Sequence, residues 1–262
     1  MNILPRITIR VSKGSLAFAI ADSKSTAQVA FEPYTAKSGV SMAANLRDAF
    51  KTANLLQVAA NRALVLVDTP TLLIPLEEFK EADADTLYHH SYPDTEGAVV
   101  MSNVLPEMNT VVLFAVNKDL KMVVEDHYQD VKFSALMRPV WSYLHHRNFI
   151  GNKRKLFVHF HDGRMEVFSF ERNRFIFTNS FEAKHSKDEV YFILFVWKQL
   201  ALDQKKDELY LSGSITAQEK LTSALRLYVE KVSVINPAAD FNRAPLTQVH
   251  GITFDLLTLY LY

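Results

Sequence analysis

The chain has 262 residues, 48% of them apolar and 22% charged, enough to bury the cores of two ordinary domains. Lysine plus arginine equals aspartate plus glutamate at 29 each, so no global field gathers nucleic acid or an acidic membrane, and no nucleic-acid partner is expected. The lack of cysteine excludes disulfides, thiol nucleophiles and cysteine-ligated zinc. With no secretory pattern in MNILPRITIRVSKGS and no apolar run of about 18 residues, a cytoplasmic protein without a transmembrane segment is expected.

Ile7–Val11 and Leu16–Ala21 are apolar runs separated by Ser12-Lys13-Gly14-Ser15, and Ala27–Tyr34 reads as a third strand. Ser41 can cap a helix with Met42, Leu46, Ala49, Phe50 and Ala53 at helical spacing. Arg62–Asp68 is then a continuous apolar run of the kind buried on both faces of a sheet. Leu72–Leu76 re-enters a sheet before a polar helical stretch, Glu77–His90. Ala98–Leu105 and Thr110–Ala115 form an antiparallel pair, and Asn117 caps a helix with Leu120, Val123 and Val124 on one face. Val131–Leu136 is a short strand, and Arg138–Arg147 a linking helix.

The spacing then repeats. Asp162-Gly163 and Arg172-Asn173 are two-residue hairpin turns of the kind that needs positive φ, between strands rich in phenylalanine. Ser186 with Glu189 forms a capping box at the head of a helix with Val190, Ile193, Leu194, Trp197 and Leu200 inward. Leu209–Leu211 is a fourth strand ending in Ser212-Gly213-Ser214. Thr216 starts a helix with Leu221, Leu225 and Val229 inward, Val232–Ile235 is a strand, and Leu246–Leu261 a closing helix. From Arg6 to Arg62 is 56 positions and from Arg154 to Glu208 is 54, with hairpins, helix and strand in matching places. The chain is therefore expected to be α/β, two copies of a β-β-β-α-β unit, with domains at 1–136 and 137–262.

Such a duplicated unit, with a glycine in the first hairpin turn of each copy and a Gly-containing turn after the last strand of the second, resembles the actin-like ATPase fold. That superfamily of paired RNase H-like domains around a central cleft includes actin, sugar kinases and Hsp70-type chaperones. The chain is also similar to a family of uncharacterised bacterial proteins with this fold. In order of elements it looks like the cytoplasmic actin-like platform proteins of type IV pilus and type II secretion machines. The resemblance implies ATP with Mg²⁺ as the cofactor, its phosphates held by backbone amides of the two hairpin turns and the metal organised by a carboxylate in each. Carried onto this chain, the phosphate-binding positions are Ser12, Lys13, Gly14 and Ser15 in the first turn, His159, Asp162, Gly163 and Arg164 in the second, and Gly213 and Ser214 after the fourth strand. Ser12 and His159 stand where the family has carboxylates, and only single glycines remain.

Losing both carboxylates removes the metal-dependent route to phosphoryl transfer and favours a binding or assembly scaffold with a protein partner over an ATPase. The alternative, a nucleotide-binding enzyme or switch, needs another acid, for which Asp68 and Glu166 are the catalytic candidates, with Lys13 and Arg164 supplying charge. His159 and His161 lie two apart on a strand and share a face, a metal-ligand spacing if Asp162 or Glu166 joins them, and otherwise ordinary strand residues; no metal is assigned. The cluster Arg147, Lys153, Arg154 and Lys155 lacks an aromatic platform for stacking bases and reads as solvated linker charge.

Overall fold

The computed structural model describes residues 5–95, 97–182 and 186–262. The first sheet is built from β1 (Arg6–Val11), β2 (Ser15–Ala21) and β3 (Val29–Thr35), then helix α1 (Met42–Thr52) and β4 (Arg62–Val67). β5 (Thr71–Pro75), α2 (Ala84–Ser91), β6 (Val99–Leu105) and β7 (Thr110–Val116) follow. Helix α3 (Lys118–Glu125) leads back to β8 (Asp130–Ala135), and α4 (Arg138–Asn148) ends this part. The second half holds β9 (Lys155–His161), β10 (Arg164–Glu171), β11 (Arg174–Glu182), α5 (Ser186–Gln199), β12 (Glu208–Gly213), α6 (Gln218–Leu225) and β13 (Lys231–Val234). The short α7 (Pro237–Asp240) and α8 (Phe254–Leu261) close the chain.

The strand orders are β3-β2-β1-β4-β8 and β11-β10-β9-β12-β13, the same arrangement twice. In each, two antiparallel hairpins precede a helix, after which the chain adds parallel strands to the first strand of the set, Arg6 opposite Arg62 and Lys155 opposite Glu208. β1 and β9 are the central strands and bury nearly every side chain, which is why both read as unbroken apolar runs. β5, β7 and β6 form a separate three-stranded antiparallel sheet with its own small core of Ile74, Tyr88, Val111, Leu113 and Ala115. The buried Tyr88 hydroxyl donates to the Pro70 carbonyl at 2.7 Å, which satisfies it.

By its internal contacts the chain divides into two compact units, Met1–Pro139 with Ala244–Tyr260, and Val140–Arg243 with Leu261–Tyr262. The segment 244–260, grouped with the second half on sequence spacing, clusters with the first unit. Its Asp255, in α8, accepts a 2.8 Å hydrogen bond from Arg10 Nε of β1 where both side chains are at most 2% exposed, and Thr8 of β1 lies 2.8 Å from the Tyr260 hydroxyl.

Local chemistry explains the element ends. Ser41 Oγ accepts from the Ala44 N–H and Asn117 Oδ1 from the Leu120 N–H, both as expected for N-caps. Asp162 and Gly163 take φ of +46° and +75°. In the second hairpin only Arg172, at +54°, adopts positive φ, where the Arg172-Asn173 pair was expected to supply two such residues. The Ser186 capping box involves a side chain outside the described residues. The closing helix is shorter than the expected Leu246–Leu261: a 3₁₀ turn at Pro245–Gln248 is separated from α8 by Gly251 at φ +79°, which ends helical progress. Helix α6 likewise stops at Leu225, and Val229 is buried beyond its end.

Candidate functional site

The first hairpin turn closes on itself. Ser12 donates its backbone N–H to the Ser15 carbonyl at 3.0 Å, and its hydroxyl lies 2.8 Å from the Ser15 hydroxyl. Ser12 is buried, Lys13 and Gly14 are exposed, and a Cβ built on Gly14 meets nothing within 4 Å; its backbone is also outside the left-handed region. The turn therefore does not itself require glycine there. Asp68 follows β4, and its N–H donates to the Val11 carbonyl at 2.9 Å, so this half-buried carboxylate flanks the same turn.

In the second unit the β9–β10 turn and the end of β12 come together. His159 is buried, with Nδ1 3.0 Å from Ser212 Oγ on β12. His161, also buried, stacks on His159 at a centroid distance of 5.5 Å. Its Nδ1 lies 3.2 Å from Asp162 and its Nε2 3.5 Å from Glu166. Glu166 lies opposite His159 on β10, with the Arg164 guanidinium 3.4 Å away. Burial alone pushes the Glu166 carboxyl up, but the hydrogen bond and charge of His161, helped by Ser180 and Arg164, hold it below the usual glutamate range. The two histidines are thus engaged by their own strand neighbours.

Gly213 is dictated by packing. It sits at φ +85°, and a Cβ there would overlap the Phe160 carbonyl oxygen and press to 2.8 Å on the His159 ring. Ser214 donates its N–H to that same carbonyl at 2.8 Å. Gly163, by contrast, needs its backbone freedom for the turn, while open space lies where its Cβ would be.

The basic cluster expected to be solvated is largely structural. Arg147 pairs with Asp240 at 2.6 Å, and the Tyr143 hydroxyl donates to the same carboxylate. Arg154 binds Asp207 and the carbonyls of Leu200 and Ala201. The buried Lys155 ammonium donates to the carbonyls of Asn148 and Ile150, at 3.0 and 2.8 Å, and so ties down the C-terminus of α4; burial lowers its pKa. Charged residues inside otherwise apolar segments, Arg10 in ITIRV and Asp255 in FDLLTLYLY, were the signal for a buried ion pair that sequence reasoning missed.

No curated protein matches the chain. Among solved structures, a Bacteroides thetaiotaomicron VPI-5482 protein with an actin-like ATPase fold and unknown function is 26% identical. The match covers 95% of this chain and 97% of that one, at a TM-score of 0.82. A chain of the PilM-PilN type IV pilus biogenesis complex is 10% identical, with 99% and 98% covered and a TM-score of 0.61, a likeness of fold. The fold is the actin-like ATPase fold, as its duplicated strand order required. No helix among the described residues is long and apolar enough to cross a membrane. A family model described as "Protein of unknown function (DUF3822)" matches residues 5–232, and the chain belongs to that family.

Proposed function

We propose that this chain is a cytoplasmic binding or assembly scaffold on the actin-like fold that acts through a protein partner, without phosphoryl-transfer catalysis. The observation that carries this reading is the state of the two turns. Where a phosphate-binding turn offers a metal-organising carboxylate, Ser12 places its hydroxyl on Ser15, and His159 is held against Ser212 beside Gly213. The PilM-PilN complex supports it as an instance of this fold within an assembly. We take residues 1–136 and 137–262 as the working domains. Ser12, Lys13, Gly14, Ser15, His159, Asp162, Gly163, Arg164, Gly213 and Ser214 remain the proposed remnant of the phosphate-binding set.

A second reading, a nucleotide-dependent switch, is favoured by Asp68, whose place beside the first turn offers a carboxylate other than the one Ser12 replaces. Thermal unfolding with and without excess Mg-ATP, Mg-ADP and GTP separates the two. A ligand at 100 times its Kd stabilises by about 2.7 kcal/mol, a shift of a few degrees at this size. The scaffold reading expects no shift and repeated recovery of a defined partner from native lysate. A Mg-dependent shift abolished by Asp68→Asn, with no partner recovered, would overturn it.

A further inference from the structure

The chain is electrically neutral as a whole, yet one end of the second sheet gathers cations and large apolar side chains in one place. β9, β12 and β13 are parallel, with Lys155, Glu208 and Lys231 opposite one another, so the loops that lead into them, 149–154, 203–207 and 226–230, meet at that end. Two backbone bonds knit these loops together. The Glu208 N–H donates to the Arg154 carbonyl at 3.1 Å and the Glu230 N–H to the Gln204 carbonyl at 2.9 Å. Phe149 (57% exposed) and Ile150 (66%) follow from α4, and Leu227 (79%) and Tyr228 (52%) follow α6. The two pairs belong to opposite faces of the sheet: α4 packs its Trp141 and His145 on Phe175 and Phe170, whereas α6 sits with α5 over Leu156, Val158 and Val167 on the other side.

Lysines share this end. Lys153, Lys205 and Lys206 are exposed and Lys231 is half-buried. Lys153 is the member of the Arg147–Lys155 basic cluster not drawn into packing, and contact and repulsion from the neighbouring Lys231 ammonium lower its pKa, which Glu208 and Glu230 only partly offset. The nearby carboxylates have local duties. Asp207 accepts from Arg154 and the Asp203 N–H, Asp203 from the N–H groups of Lys205 and Lys206, and Glu208 from the Tyr210 hydroxyl, while Glu230 is exposed.

We propose that this end of the second unit docks on an anionic lipid surface, with Phe149, Ile150, Leu227 and Tyr228 entering the boundary between headgroups and acyl chains and the lysines taking lipid phosphates. Apolar side chains that protrude on both sides of one sheet end suit a broad surface that both can enter at once. A single peptide strand or helix seated on either face would cover one pair and leave the other in water. Tyr228 adds a ring with a polar tip, of the kind that sits at a membrane interface, and lysine stems lie along apolar surface while their ammonium groups reach phosphate. An anion at Lys153 and Lys231 also relieves their mutual repulsion. Buried apolar area and attraction to anionic lipid, the two contributions that peripheral binding sums, thus coincide here.

Co-sedimentation of the unmodified chain with vesicles tests this. Binding is expected to vesicles containing phosphatidylglycerol, to weaken as ionic strength rises, and to be lost with phosphatidylcholine alone. Because the chain has no cysteine, Ile150→Cys and Leu227→Cys can each carry one environment-sensitive fluorophore, and both labels should shift to the blue on phosphatidylglycerol vesicles, while a label at Val58→Cys, exposed on the other unit, should not. Ile150→Ser with Leu227→Ser should weaken vesicle affinity at least about tenfold, and so should Lys153→Gln with Lys231→Gln. No sedimentation with phosphatidylglycerol vesicles at low ionic strength, an affinity unmoved by either double variant, or a shift at only one of the two labels overturns the proposal. A shift of both labels with a lysate protein and not with vesicles overturns it in favour of a protein-docking face. None of these readouts uses nucleotide or a protein partner, so they hold whether or not the chain is a scaffold. If a double variant fails to fold by circular dichroism, the unmodified chain and the two labels decide.

Discussion

Arg10 and Asp255 meet at 2.8 Å where water hardly reaches. Removing one member of a buried pair strands the other, at about 3–5 kcal/mol, whereas replacing both with apolar residues of similar volume is often neutral. Asp255→Asn should therefore lower the urea midpoint sharply, and Arg10→Met combined with Asp255→Leu should recover most of the loss. Equal damage from the single and double variants would show that the helix contact, not the charge, is at stake. One buried and one half-buried phenol set an alkaline limit. Burial pushes Tyr128 up to about 12, and burial followed by the Asp240 hydrogen bond and charge pushes Tyr143 up to about 12. Folded values above the unfolded value of 10.0 mean that their stabilisation is complete below pH 10.0 and is lost as pH rises through about 12. Unfolding should track tyrosinate absorbance across that window; phenols that ionise while the fold persists would contradict this.

At the level of elements, β12 lies against β9 because Gly213 has no side chain to hold them apart. Gly213→Ala combines a left-handed backbone penalty of about 1–2 kcal/mol with overlap at the Phe160 carbonyl. It should destabilise the second unit and shift the His159 ring resonances, while Gly14→Ala, with open space and an ordinary backbone, should change neither. Elements with local signals were legible in the sequence: the Ser41 and Asn117 caps, the Asp162-Gly163 turn, and the strand pair Val99–Leu105 and Thr110–Val116 all stand where turn and capping chemistry put them. What failed depended on partners far along the chain. Lys155 reads as an exposed linker charge until the end of α4 folds back over it, and the closing helix reads as continuous because its apolar spacing survives the break at Gly251. Within the candidate site, spacing located the turns, but not that Ser12 and His159 spend their polar atoms on Ser15 and Ser212. Those contacts depend on strand register rather than on local pattern.

For the whole molecule, duplication was readable because both copies spend nearly the same number of residues on the same sequence of elements, and the strand orders agree. Membership of 244–260 in the first unit was not, since nothing in the spacing says which sheet a late helix joins. That discontinuity acquires a meaning when the chain is made on a ribosome. Residues 140–243 emerge as one uninterrupted stretch and can complete their sheet while still tethered. Arg10 waits 245 positions for the Asp255 carboxylate. The first unit therefore gains α8 and its Asp255 only after the whole of 140–243 has been made, so the enclosed unit can be complete before the one that encloses it in sequence.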